Sequence, residues 1–152
     1  MALMVGEKAP DFELPATGNQ KVKLSSFQGK KNVVLIWHPL NFTGPCSNEL
    51  QQFDKKLADF QKQDTELFSL SIDSVASSEA FYKELGGINY PHLSDFYPHG
   101  KIAQDYGILR PEGFSERAVY VIDKQGAIRW AKVYELKTVP DVNEVLEAVQ
   151  KL

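Results

Sequence analysis

The chain has 152 residues, 43% hydrophobic and 24% charged, with 17 basic and 20 acidic side chains and a net charge of −3. That balance gives no basic footing for nucleic acid, and no apolar run approaches the roughly 18–20 residues of a membrane span. A single cysteine, Cys46, excludes an internal disulfide and a CxxC redox pair. Residues 1–10 lack the basic and apolar pattern of a signal peptide. The expectation is a soluble, cytoplasmic protein with one domain over residues 1–152, a length that builds a core without disulfides or metals.

Short apolar stretches at 12–14 and 22–24, around Gly18-Asn19, predict an N-terminal hairpin. Asn32–Trp37 (NVVLIW) is a continuous, β-branched run, as expected of a strand buried on both faces. The turn-rich HPLNFTGPC follows. Leu50, Phe53, Leu57 and Phe60 then form one apolar stripe, predicting a single helix. Thr43 suits its N-cap and Pro45 its first turn, which puts Cys46 at the helix start. Residues 66–73 (ELFSLSID) read as a second core strand. Residues 77–85 read as a helix stopped by Gly86-Gly87, and 98–106 as a short helix stopped by Gly107. Residues 117–123 and 127–134 read as an antiparallel pair joined by Lys124-Gln125-Gly126. Asp141 with Glu144 resembles a capping box opening a last helix with Val142, Val145, Leu146 and Val149. This order predicts an α/β thioredoxin-like fold: a mixed central sheet flanked by helices, with an N-terminal β-hairpin extension.

A lone cysteine is by default a small buried hydrophobe. Its predicted position argues otherwise, because helix N-termini carry unpaired N–H groups and partial positive charge. A free thiol with a pKa of about 8.5 is only about 3% thiolate at pH 7. Lowering that pKa by about 2.5 units takes about 3.4 kcal/mol. The helix end supplies about 0.3–1 kcal/mol, at most about 2. A reactive Cys46 therefore needs a cationic side chain.

Pro39, Thr43 and Cys46 form P-x-x-x-T-x-x-C in a strand-turn-helix setting, which resembles the peroxiredoxin active-site motif. VGEKAPDFEL, Pro91-His92-Leu93-Ser94-Asp95 and RAVYVID resemble further peroxiredoxin segments, so the likeness covers essentially the whole chain. SDFYPHGKIAQDYGI brings it closest to the one-cysteine, alkyl hydroperoxide reductase E-like group. The resemblance implies that Cys46 is the peroxidatic cysteine and that Thr43 hydrogen-bonds peroxide and thiolate. It makes Pro39 the shield of the thiolate from water, Arg117 the cation paired with it, and Glu49 the residue that orients Arg117. It also implies no metal, flavin or haem, an external thiol reductant (a small thiol, or a thioredoxin or glutaredoxin-like protein), peroxide substrates and a homodimer.

Each residue has a plainer reading. Thr43 serves as an N-cap, Pro39 as a strand terminator, Arg117 as a solvated strand-end charge, and Glu49 as a first-turn carboxylate. Arg129 is a rival cation, kept as structural from its strand alternation with Ala127 and Ala131. His38 replaces the Tyr or Phe of many peroxiredoxins; it either packs on the core or hydrogen-bonds and charges beside Cys46. The resemblance also implies an aromatic packed behind the active site, as in several peroxiredoxin subfamilies, with Phe81 and Tyr82 the two candidates. The function from another class is a non-catalytic thioredoxin-fold partner or chaperone-like protein.

Overall fold

The computed structural model describes residues 2–152 and, of Cys46, the backbone alone. The strands are β1 (Glu13–Ala16), β2 (Gln20–Lys23), β3 (Asn32–Trp37), β4 (Thr65–Ser71), β5 (His92–Ser94), β6 (Arg117–Ile122) and β7 (Ile128–Tyr134). The helices are α1 (Gly44–Lys55), α2 (Leu57–Gln61), α3 (Val75–Glu84), α4 (Lys101–Asp105) and α5 (Val142–Gln150). One mixed sheet of seven strands runs β2-β1-β5-β4-β3-β6-β7. β3 is parallel to β4 and antiparallel to β6, and β4 is parallel to β5. This is the expected thioredoxin-like sheet, and the N-terminal hairpin joins it through Ala16 opposite Leu93.

Strand β3 occupies the predicted residues and is buried at every position, as its apolar run requires. Its alternate side chains feed two cores. Val33, Leu35 and Trp37 face Phe12, Leu93, Tyr106 and Tyr120, whereas Val34 and Ile36 face Leu50, Phe53, Phe60, Phe81 and Val145. The hairpin reverses at Gly18 and Asn19, whose φ of 81° and 54° suit Gly and Asn.

Several expectations shift. The Leu50-to-Phe60 stripe packs on the core as predicted but is split, because Lys56 leaves the helix at φ −104° and ψ 6° and its N–H turns to Phe53 O. Strand β5 escapes the sequence pattern because it is three residues long and two of them, His92 and Ser94, are polar. Helix α3 starts earlier than expected, with the Ser74 side chain accepting from Ser77 N. Asp141 does cap α5, accepting from Asn143 N, but Glu144 does not close a capping box. Its carboxylate instead takes Lys132 Nζ at 3.1 Å and Tyr134 OH at 3.4 Å. No helix among the described residues is long and apolar enough to cross a membrane.

Leu50 is fully buried and holds α1 against the sheet. Leu50→Ala should cost about 2–5 kcal/mol, the range for deleting a buried Leu side chain. The check is urea unfolding: the midpoint should fall with the slope unchanged, and a loss under 1 kcal/mol would mean that α1 is held in some other way.

Candidate active site

Strand β3 ends at Trp37, and residues 38–43 carry the chain into α1. The strand's ladder extends one residue further, because His38 N donates to Leu70 O at 3.0 Å. Pro39 is buried just beyond it. Thr43 stands at the N-cap with extended backbone, φ −104° and ψ 148°, as its residue type predicts. Its hydroxyl donates to Leu40 O at 2.7 Å, which closes the turn, and Thr43 is exposed. Cys46 follows in the first turn of α1, after Gly44 and Pro45. Its side chain lies outside the described residues.

Arg117 opens β6, which neighbours β3. It is not a solvated strand-end charge, because only 1% of it is exposed. Its Nη1 donates to Glu49 Oε1 at 2.8 Å and its Nε to Leu136 O at 3.0 Å. Glu49 is fully buried, one helical turn after Cys46. Burial pushes the Glu49 carboxyl up to about 8, with Arg117 pulling the other way. Among the described residues, Glu49 Oε2 has no hydrogen-bond partner. Arg129 stands at the opposite end of the β6–β7 pair, half exposed, donating to Asp123 Oδ2 at 3.2 Å, in keeping with a structural residue.

His38 is fully buried, with Nε2 and Asn41 Oδ1 2.7 Å apart. Asn41 Nδ2 donates to Ser78 Oγ at 3.0 Å and Ser77 Oγ at 3.3 Å, so its Oδ1 is the acceptor facing His38. His38 therefore carries its proton on Nε2. Burial lowers its pKa to about 4 and Arg117 adds to this, against the opposing pulls of Asn41 and Asp73. Burial and the lowered pKa fit the first of its two readings, an uncharged packing residue. Its ring lies 5.1 Å from the His92 ring and 6.2 Å from Phe81. Phe81 also stacks on Phe42 at 4.9 Å, so Phe81 is the aromatic behind the turn. Tyr82 instead bonds Ser69 Oγ at 2.8 Å.

Phe42 itself adopts φ 64°. A bulky side chain there is strained by about 1–3 kcal/mol and persists only where neighbours hold it. Sequence reading missed the residues that do the holding. Asp73 Oδ2 accepts from Asn41 N at 3.0 Å and from Ser71 Oγ at 2.6 Å. Behind them His92 bridges Ser69 and Ser71 through its two ring nitrogens, at 2.7 and 2.9 Å. The available signal was the alternate spacing of Ser69, Ser71 and Asp73 through the end of a core strand and just past it.

Fold and turn together define a thioredoxin-like protein whose cysteine begins a helix directly after a central strand. The chain belongs to the AhpC/TSA family, which it matches over residues 5–131. It is 36% identical over 140 residues to alkyl hydroperoxide reductase E of Mycobacterium tuberculosis, covering 91% of each chain. It is 37% identical over 159 residues to the chloroplastic 2-Cys peroxiredoxin BAS1 of Spinacia oleracea, covering 98% of this chain but 59% of that protein. The solved structure of the mitochondrial 2-Cys peroxiredoxin from Plasmodium falciparum superposes with a TM-score of 0.89 at 33% identity, over 97% of this chain and 93% of that one. Those two relatives are named for two cysteines, whereas this chain has Cys46 alone.

The buried histidines generate an acid-side prediction. Burial depresses the pKa of His38 to about 4 and that of His92 well below its ordinary value. The unfolded chain, with histidines near pH 6.5, therefore binds these protons more readily. Their contribution to stability is present above pH 6.5 and is lost as pH falls toward 4. His38→Phe should flatten that loss, and the peroxide-oxidation rates of wild type and His38→Phe should run parallel between pH 5.5 and 8. An inflection near pH 6.5 in the wild type alone would make His38 a charged participant.

Proposed function

We propose that this protein is a thiol-dependent peroxidase with a one-cysteine cycle, reducing hydrogen peroxide, alkyl hydroperoxides or peroxynitrite. The observation that carries this reading is the buried guanidinium of Arg117, held on Glu49 one helical turn from Cys46 in an AhpC/TSA-family chain. It supplies the positive charge that the helix end alone does not.

In this reading the Cys46 thiolate attacks one peroxide oxygen. The S–O bond forms as the O–O bond breaks, and the other oxygen leaves as water or an alcohol after taking a proton, or as nitrite from peroxynitrite. Cys46 is left as a sulfenic acid. Thr43 hydrogen-bonds the peroxide, and Arg117 and the Cys46 backbone N–H stabilise the charge that develops on the oxygens. Pro39, buried beside the turn, keeps water from the thiolate. No metal, flavin or haem enters the cycle.

No second cysteine in the chain can condense with the sulfenic acid. An external thiol does so, releasing water and forming a mixed disulfide. A second thiol then displaces Cys46 and carries away the disulfide. The reductant is a small thiol, or a thioredoxin or glutaredoxin-like protein. A cytoplasmic setting suits this chemistry, because a reducing compartment keeps a lone thiol reduced. Homodimer formation is supported by the exposed aromatic side chains of Phe42, Phe96 and Tyr97, which offer apolar surface to a second copy.

Peroxide should convert wild-type protein to a sulfenic acid by mass, and to a sulfinic acid at excess peroxide. Cys46→Ser should consume no peroxide with thiol present; turnover at the wild-type rate would end the peroxidase reading in favour of a non-catalytic partner protein.

Arg117→Ala should raise the Cys46 pKa and slow oxidation at least about tenfold, or ~1.4 kcal/mol in the barrier. Arg117→Lys should restore only part of the rate, because an ammonium lacks the planar fork. Thiolate absorbance and stopped-flow oxidation measure both, and an unchanged alanine variant would transfer the role to another cation.

A further inference from the structure

The turn over residues 38–43 holds a strained Phe42 between two anchored neighbours. On one side the Asn41 backbone N–H is taken by Asp73 Oδ2 at 3.0 Å, and on the other the Thr43 hydroxyl closes on Leu40 O at 2.7 Å. Asp73 belongs to neither the turn nor α1. It lies two residues beyond the end of β4.

What stands behind Asp73 is a chain of hydrogen bonds with one direction. The Ser71 hydroxyl proton is committed to Asp73 Oδ2, so Ser71 Oγ accepts from His92 Nε2. A neutral His92 then has a lone pair on Nδ1, which takes the Ser69 hydroxyl proton, and Ser69 Oγ accepts from Tyr82 OH. Every donor from Tyr82 onward points toward Asp73. Ser94 Oγ also donates to the Asp73 carbonyl at 2.6 Å, tying the segment to β5. A carboxylate fixed from β4 and β5 in this way is a rigid acceptor for a single backbone donor of the turn.

We propose that Asp73 is a positioning residue for peroxide reduction: by holding the Asn41 N–H it sets the strained turn that presents Thr43 to the peroxide. The inference rests on the peroxidase reading above. In this scheme Asp73 acts through the turn and not on the substrate. Removing its carboxylate frees Asn41, lets Phe42 relax to negative φ and moves the Thr43 hydroxyl away from the path of the peroxide. The thiol itself, on the first turn of α1, keeps its backbone position.

Two rates separate positioning from a general loss of structure. Stopped-flow oxidation by hydrogen peroxide needs the aligned Thr43, whereas alkylation by iodoacetamide needs only an accessible thiolate. Asp73→Ala should slow oxidation at least about tenfold with alkylation within about twofold of wild type at the same pH. Asp73→Asn, which retains an acceptor oxygen, should recover most of the lost oxidation rate.

Equal losses in both rates, no loss in either, or an asparagine variant as slow as alanine would each overturn the assignment. A wild-type protein that peroxide does not oxidise would overturn the peroxidase reading and this inference with it, whereas an oxidisable wild type matched by Asp73→Ala would overturn the role of Asp73 alone. Where Asp73→Ala does not fold, amide exchange on the wild-type protein decides. The Asn41 N–H must exchange at least about tenfold more slowly than an open turn, and free exchange there is fatal to the proposal.

Discussion

The site depends on one buried ion pair. Arg117 and Glu49 are both all but removed from water, and they join the first residue of β6 to the first turns of α1. Taking a guanidinium and a carboxyl out of water is expensive, and their mutual attraction offsets that cost only with good geometry and further hydrogen bonds. The Nε bond to Leu136 O provides one such bond on the arginine side. As stability alone the pair is a poor arrangement, since apolar residues of similar volume would often serve as well. Its value lies in orientation. A planar guanidinium fixed at Nη1 and Nε has little freedom left, so its charge is pre-set before any substrate arrives.

The second constraint is polar too. Near the ends of the strands that feed the turn, the α3-facing core gives way to Ser69, Ser71, His92, His38 and Asn41. Such a layer is costly unless each group finds a partner. Most do, and the partners line up so that protons point one way, toward Asp73. Satisfied polar networks have fewer acceptable arrangements than apolar cores, which can repack. A strained turn with φ 64° at Phe42 needs that narrowness. Neutral histidines suit the layer better than charged ones, and burial keeps both His38 and His92 below their ordinary pKa.

Much of this was legible in the sequence where the signal was apolar. Asn32–Trp37 announced a doubly buried strand, and the Leu50-to-Phe60 stripe announced the packing face of α1 and α2. Thr43 and Pro45 before the apolar stripe placed the cysteine at the start of a helix. The polar partnerships were harder to read. Glu49 and Arg117 are 68 residues apart in the chain, and only the family resemblance linked them in advance; the β3–β6 pairing makes them neighbours. His38 gave two readings because a histidine's charge follows from burial, which its own residue type does not report. Asp73 carried no role in the sequence, and His92 stood out only as part of a family-like segment with no role attached. The short β5 hid because buried polar residues break the pattern by which strands are recognised. Glu144 sat at capping-box spacing but was drawn to Lys132 and Tyr134 across the sheet edge, a competition that local spacing does not register.

The raised Glu49 carboxyl bears on how a lone cation serves a thiol. If Glu49 stayed fully ionised, its charge would cancel most of the Arg117 field one helical turn from Cys46. Burial works against that ionisation, pushing the carboxyl up to about 8. The guanidinium thus retains charge that a second anion can use. The same carboxyl that orients Arg117 by hydrogen bonding is held back by burial from acting as a full countercharge. Orientation and field strength, which would conflict if Glu49 were a surface carboxylate, become compatible because the pair is dry.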